Sequence, residues 1–128
     1  MMRGGLRATL VLLFLLGGDA AAGSWRTHLK DYRVELASDP DPPVRGRETG
    51  YILRLQNASG QQVGGAKVTL VGTMPDGMTV LGPLRESPVA GMYSGRVLFT
   101  MEGEWRLTVR ILQAGTPLEL TFTEQVGR

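Results

Sequence analysis

Apolar and polar residues alternate along most of this chain with a period of two. In Trp105-Arg106-Leu107-Thr108-Val109-Arg110-Ile111, residues Trp105, Leu107, Val109 and Ile111 fall on one side and Arg106, Thr108 and Arg110 on the other. A strand sends successive side chains to opposite faces, so this segment predicts an antiparallel strand with one face in a core. On a helix the same charges would spread around the cylinder. The alternation recurs at Tyr32–Ala37, Tyr51–Gln56, Lys67–Leu70 and Leu118–Thr123. It also places Tyr93, Val97, Phe99 and Met101 on one face, opposite Ser94, Arg96 and Thr100. A weaker strand covers Thr79–Leu81 or Leu84–Glu86. No window after residue 25 has helical periodicity.

Turn residues separate these segments. Asn57-Ala58-Ser59-Gly60 and Val63-Gly64-Gly65 carry residues that reach positive φ at low cost. Gln113-Ala114-Gly115-Thr116 reads as a short hairpin, with Pro117 at the start of the next strand, where proline is tolerated. Glu102-Gly103 links two strong strands. Such spacing predicts an all-β domain: an immunoglobulin-like antiparallel β-sandwich of about seven strands over residues 31–126, preceded by an N-terminal arm at 23–30. An interaction role for such a domain needs an open sheet edge, and the first strand (32–38) and the last (118–123) are the candidates.

Residues 1–22 have the pattern of a signal peptide. Arg3 and Arg7 precede an unbroken apolar run, Leu10–Leu16, and Ala20-Ala21-Ala22 supplies small residues at the cleavage site. The run is far shorter than the ~20 residues a membrane-spanning helix needs, so cleavage after Ala22 is expected rather than retention as an anchor. This predicts a periplasmic or extracellular protein with no transmembrane anchor after cleavage. No Cys follows the apolar run, which excludes a lipoprotein anchor.

Composition narrows the chemistry. The chain has no Cys and one His, which excludes disulfides, thiolate zinc sites, a Cys nucleophile and any site needing two imidazoles. Loss of Arg3, Arg7 and Asp19 with the leader leaves 12 basic and 11 acidic residues, scattered without a run of three. That argues against a nucleic-acid surface. Catalysis has little support: the single imidazole, His28, lies in the arm, no phosphate-cradling loop precedes a helix, and no carboxylate pair shares an evident cleft. The chain is expected not to be an enzyme.

Three segments together resemble the YtkA-like and FixH-like group of small exported bacterial domains. They are the proline-rich Ala37–Gly46, the stretch Gly64–Leu70 leading to Met74-Pro75, and Gly91-Met92-Tyr93-Ser94-Gly95 running through Met101-Glu102-Gly103-Glu104-Trp105. The resemblance spans about residues 35–112. It implies an immunoglobulin-like sandwich outside the cytoplasm, associated with copper-handling, efflux or cytochrome-oxidase assembly systems, and an envelope protein as partner.

Met74-Pro75-Asp76-Gly77-Met78 is the sharpest candidate site, with two thioethers four residues apart. Thioethers are soft ligands suited to Cu(I) where thiols would be oxidised. In the resembled group this loop often also holds a His and a further Met, whereas here Thr79 follows Met78. Met101 would complete a three-thioether set if its turn lies near Met74, but alternation puts it on the core face, as a gap filler. Three functions therefore stand: a non-enzymatic exported accessory module, a Cu(I) carrier using Met74 and Met78, or a metal-free interaction or structural domain. Other residues have plainer roles. Asp39 and Asp41 flank Pro40, but a Ca²⁺ site takes six or more oxygens and sequence neighbours supply none, so a rigid extended lead-in is expected. Trp105 and Tyr93 are core anchors, with Tyr93 placed as in a tyrosine corner, its phenol bonding back to backbone. Asn57-Ala58-Ser59 matches a glycosylation acceptor but fits a turn.

Overall fold

The computed structural model describes residues 23–128, and the signal peptide expected at residues 1–22 lies outside them. Eight strands follow one another: β1 (Gly23–Leu29), β2 (Tyr32–Asp39), β3 (Glu48–Asn57), β4 (Lys67–Thr73), β5 (Thr79–Glu86), β6 (Met92–Leu98), β7 (Gly103–Gln113) and β8 (Thr116–Val126). Every pairing between them is antiparallel, in the order β1-β2-β3-β6-β5-β4-β7-β8. No helix long and apolar enough to cross a membrane occurs among the described residues.

One strand joins the two layers of the sandwich. β5 pairs with β4 through Leu84, then with β6 through Arg85 and Glu86. The crossing requires close approach of backbones. A Cβ on Gly95 of β6 would collide with the Pro83 carbonyl oxygen, so only glycine fits there. At the far side the two sheet edges meet, where Trp25 of β1 lies on Phe122 of β8 with ring centroids 4.5 Å apart. The sandwich is thus nearly closed into a barrel along a β1–β8 seam.

The alternation read in the sequence becomes the core. Trp105, Leu107, Val109 and Ile111 are buried between the layers, with Val34 and Leu36 of β2, Leu53 and Leu55 of β3, Val68 and Leu70 of β4 and Val97 of β6. Phe99 meets Trp105 edge to face at 5.2 Å. Burial of such apolar faces is the main favourable term in folding.

Three features differ from the sequence expectation. The arm is a strand: residues 23–29 pair with β2 from Gly23↔Ser38 to Leu29↔Tyr32, which raises the count to eight and covers the edge expected to be open at residues 32–38. The outer edges are β1 and β8. The doubtful strand is continuous over Thr79–Glu86 because Thr79–Leu84 pair with β4 and Arg85 and Glu86 with β6. The segment after Asp39 is a bent cap rather than an extended lead-in. It is drawn inward by Gly127 N–H donating to Pro43 O (2.8 Å), Arg45 N–H to Gly127 O (2.8 Å) and Gly46 N–H to Phe99 O (2.9 Å).

Candidate functional site

Strand direction decides which loops meet. The β2–β3 cap, the β4–β5 turn, the β6–β7 loop and the C-terminus all lie at one end of the sandwich, as the pairs Thr73↔Arg106, Gly103↔Val126 and Glu48↔Leu98 require. This end carries Met74, Met78 and Met101.

The β4–β5 turn is tightly built. Met74 N–H donates to Met78 O at 2.8 Å, Gly77 N–H to Met74 O at 2.9 Å, and Met78 N–H to Asp76 Oδ1 at 2.9 Å. The last is the Asx bond that aspartate commonly supplies in turns. The turn fixes Met74 and Met78 opposite one another. Both then reach the β6–β7 loop. A Cβ on Gly103 would lie 3.0 Å from Met74 Cε, and Thr100 Oγ1 donates to Met78 Sδ at 3.7 Å.

Met101 belongs to that same loop, and its environment corrects the sequence expectation. It is 43% exposed and does not fill the core. β6 stops at Leu98, and the bend at 100–102 breaks the alternation after Phe99. Trp105 Nε1–H holds the loop by donating to Met101 O at 3.0 Å. Met78 is also exposed, whereas Met74 is half-buried against the core and lines a surface groove of about 360 Å³ with Thr73, Pro75, Glu104, Arg106 and Thr123. Three methionines thus lie on two loops that touch one another, without a thiol or an imidazole in either loop. As a donor set they suit a soft monovalent ion such as Cu(I). His28 is exposed on β1, one residue from the turn at the other end, and is remote from this junction.

Tyr93 has the expected role. Its buried phenol donates to Val63 O at 2.8 Å and accepts from Ala66 N–H at 3.0 Å. Its ionisation is pushed up, chiefly by burial. The loop it holds lies at the end remote from the methionines. There Glu86 also accepts from Gly65 N–H (2.9 Å) and Gly91 N–H (3.3 Å), a clamp with no sequence signal.

A second group near the methionine-bearing end was not read from the sequence. Glu124 is buried between Phe122 and Val126 on the inward row of β8. Tyr51 of β3 is fully buried and presents its hydroxyl to Glu124 without closing a well-formed hydrogen bond. Burial, then the Asp41 charge, push Glu124 up to about 8, against the Tyr51 hydroxyl, which favours the charged form. Tyr51 is pushed upward by burial and by the charges of Glu124 and Asp41, and half-buried Asp41 by its own desolvation. The signal was present in the chain. Leu118, Leu120, Phe122, Glu124 and Val126 alternate, but the strand was read as ending at Thr123. Among the described residues no three His, Asp or Glu side chains converge as metal ligands.

An immunoglobulin-like, all-β sandwich with its three methionine-bearing loop positions gathered at one end is the class these observations define. Within it, the chain belongs to the YtkA-like family, which matches residues 26–110 and so reaches back into β1. The fold is similar to that of a DUF4426 family protein from Pseudomonas aeruginosa PAO1, with a TM-score of 0.66 at 12% identity over 82% of this chain and 95% of that one. It is also similar to the Lin-41 filamin domain, with a TM-score of 0.53 at 26% identity over 67% of this chain and 82% of that one. The sequence matches none of the curated proteins with which it was compared.

Proposed function

We propose that the mature chain is a non-enzymatic, exported accessory module that handles Cu(I) at its methionine-bearing end, in concert with an envelope protein. The observation that carries this reading is the junction of the Met74–Met78 turn with the Met101 loop, through Thr100 Oγ1 on Met78 Sδ and Met74 Cε over Gly103. Thioethers remain ligands in an oxidising compartment, and export is supported by the leader pattern of residues 1–22. Association with copper-handling or oxidase-assembly systems is supported by the resemblance to the YtkA-like and FixH-like group. Met78 and Met101 are both exposed residues, which suits transfer to a partner.

The test is a Cu(I) titration of the purified protein under reducing conditions against a weak chromogenic chelator. One equivalent retained by the wild type, and lost when Met74 and Met78 are both changed to Leu with the fold intact, supports the reading. Met101→Leu, at an exposed site, weakens retention without altering the melting temperature. If the wild type retains no Cu(I), the metal-free interaction domain takes its place.

A further inference from the structure

We propose that Glu124 and Asp41, with the hydroxyls of Tyr51, Ser38 and Thr49, form a binding site for a divalent hard cation of the calcium class, distinct from the methionine junction. Ser38 of β2 is the Cα partner of Tyr51, and Thr49 lies two residues before Tyr51 on the same inward face of β3. Ser38 is 2% exposed, Thr49 and Tyr51 0% and Glu124 4%. Each nevertheless has a sealed polar atom without a hydrogen-bond partner: Ser38 Oγ, Thr49 Oγ1, Tyr51 Oη and Glu124 Oε1. Buried polar groups are normally paired, and here three unpaired hydroxyls sit at neighbouring positions of β2 and β3, one of them, Tyr51 Oη, turned toward Glu124.

The chemistry names the class. Every group is an oxygen, which suits hard cations and not the soft ion of the methionine junction. None of the ion pairs among the described residues engages Glu124 or Asp41, so no Lys or Arg supplies the compensating charge. Once the ion displaces the proton that Glu124 otherwise keeps, the two carboxylates match a divalent charge. The hydroxyls come from strands, whereas half-buried Asp41 comes from the cap, on the side nearer solvent. Calcium tolerates such an irregular set of oxygens, while magnesium demands a near-ideal octahedron. The sequence alone offered Asp39 and Asp41 without further oxygens. The fold supplies them from β2, β3 and β8, and of the two aspartates it uses only Asp41.

The test uses the purified protein, stripped with a chelator and returned to matched ionic strength. Calcium at about 10 mM, above the dissociation constants of weak extracellular oxygen sites, raises the melting temperature by a few degrees. Terbium gives Tyr51-sensitised emission that calcium quenches by displacement. Both responses are lost in Glu124→Gln and in Asp41→Asn, and both survive in the Met74→Leu/Met78→Leu double variant. Asp41, on the cap, can be changed without disturbing the core if Glu124→Gln fails to fold. Absence of a calcium shift in the wild type overturns the proposal, as does a shift that survives in either carboxylate variant, since the pocket then holds only water.

Discussion

The indole N–H of Trp105 donates to the carbonyl of Met101 at 3.0 Å, which ties the fully buried ring at the start of β7 to an exposed loop residue. Trp105→Phe keeps an aromatic ring against Phe99 but removes that bond and leaves a cavity. The expected cost is about 2–3 kcal/mol, from the lost bond and the lost volume together. The variant also frees the Met101 loop. Urea unfolding reads the first effect, and Cu(I) competition reads the second as weaker retention. A variant of wild-type stability would show that the indole contributes nothing to the loop.

Glu124 makes stability depend on pH in a defined direction. Its carboxyl ionises at about 8 in the folded chain against 4.5 for the free group, with Asp41 and Tyr51 as the titratable groups acting on it. Between those values the folded state keeps a proton that the unfolded state has released. The stabilisation is therefore complete below about 4.5, falls as pH rises through 8, and levels off above it. The loss is on the order of a few kcal/mol. Thermal unfolding in chelator from acid to alkaline pH reads it as the difference between wild type and Glu124→Gln. Parallel pH profiles for the two proteins would contradict this.

The layers were legible wherever a strand has partners on both sides and only one buried face. β7 is the plainest case, since its charged residues all point outward. β1 was less legible because it is an edge. Its inward positions Trp25, Thr27 and Leu29 are only half-buried, so Thr27 interrupts the apolar row without penalty. Met101 was misplaced because alternation continues on paper past the residue where the chain bends. The methionine turn was visible as a motif, but its contact with residues 100–103 depends on β4 and β7 pairing across 30 or more residues of sequence. Pairing at that separation leaves no local trace. The buried acid was the reverse: visible as a charged residue in an apolar row, and missed because the strand was ended too soon.

The β7–β8 hairpin contains an avoidable strain. Gln113 pairs with Thr116 across a two-residue turn in which Ala114 and Gly115 have φ of 49° and 80°. Both residues of a type I′ turn need positive φ, which costs an alanine roughly 1 kcal/mol through its Cβ. Asn tolerates that region, and Asn-Gly is the preferred pair. Ala114→Asn is expected to stabilise the protein by about 0.5–1 kcal/mol, seen as a higher urea midpoint at unchanged slope. An unchanged or lower midpoint would refute it.

Tyr93→Phe separates stability from metal handling. The phenol satisfies Val63 O and Ala66 N–H together, and both belong to the loop between β3 and β4. Phenylalanine fills the same space but leaves a buried acceptor and a donor unpaired, at an expected cost of about 1–3 kcal/mol. The loop then opens more readily, so the amides of residues 61–66 exchange hydrogen faster than in the wild type. The methionine junction lies at the opposite end of the strands, where every hydrogen bond that shapes it is kept. Cu(I) retention at a temperature well below the lowered melting point should therefore equal that of the wild type. If retention falls in step with stability, the two ends are mechanically coupled through the sandwich, and the methionine-bearing end does not act as a separable site.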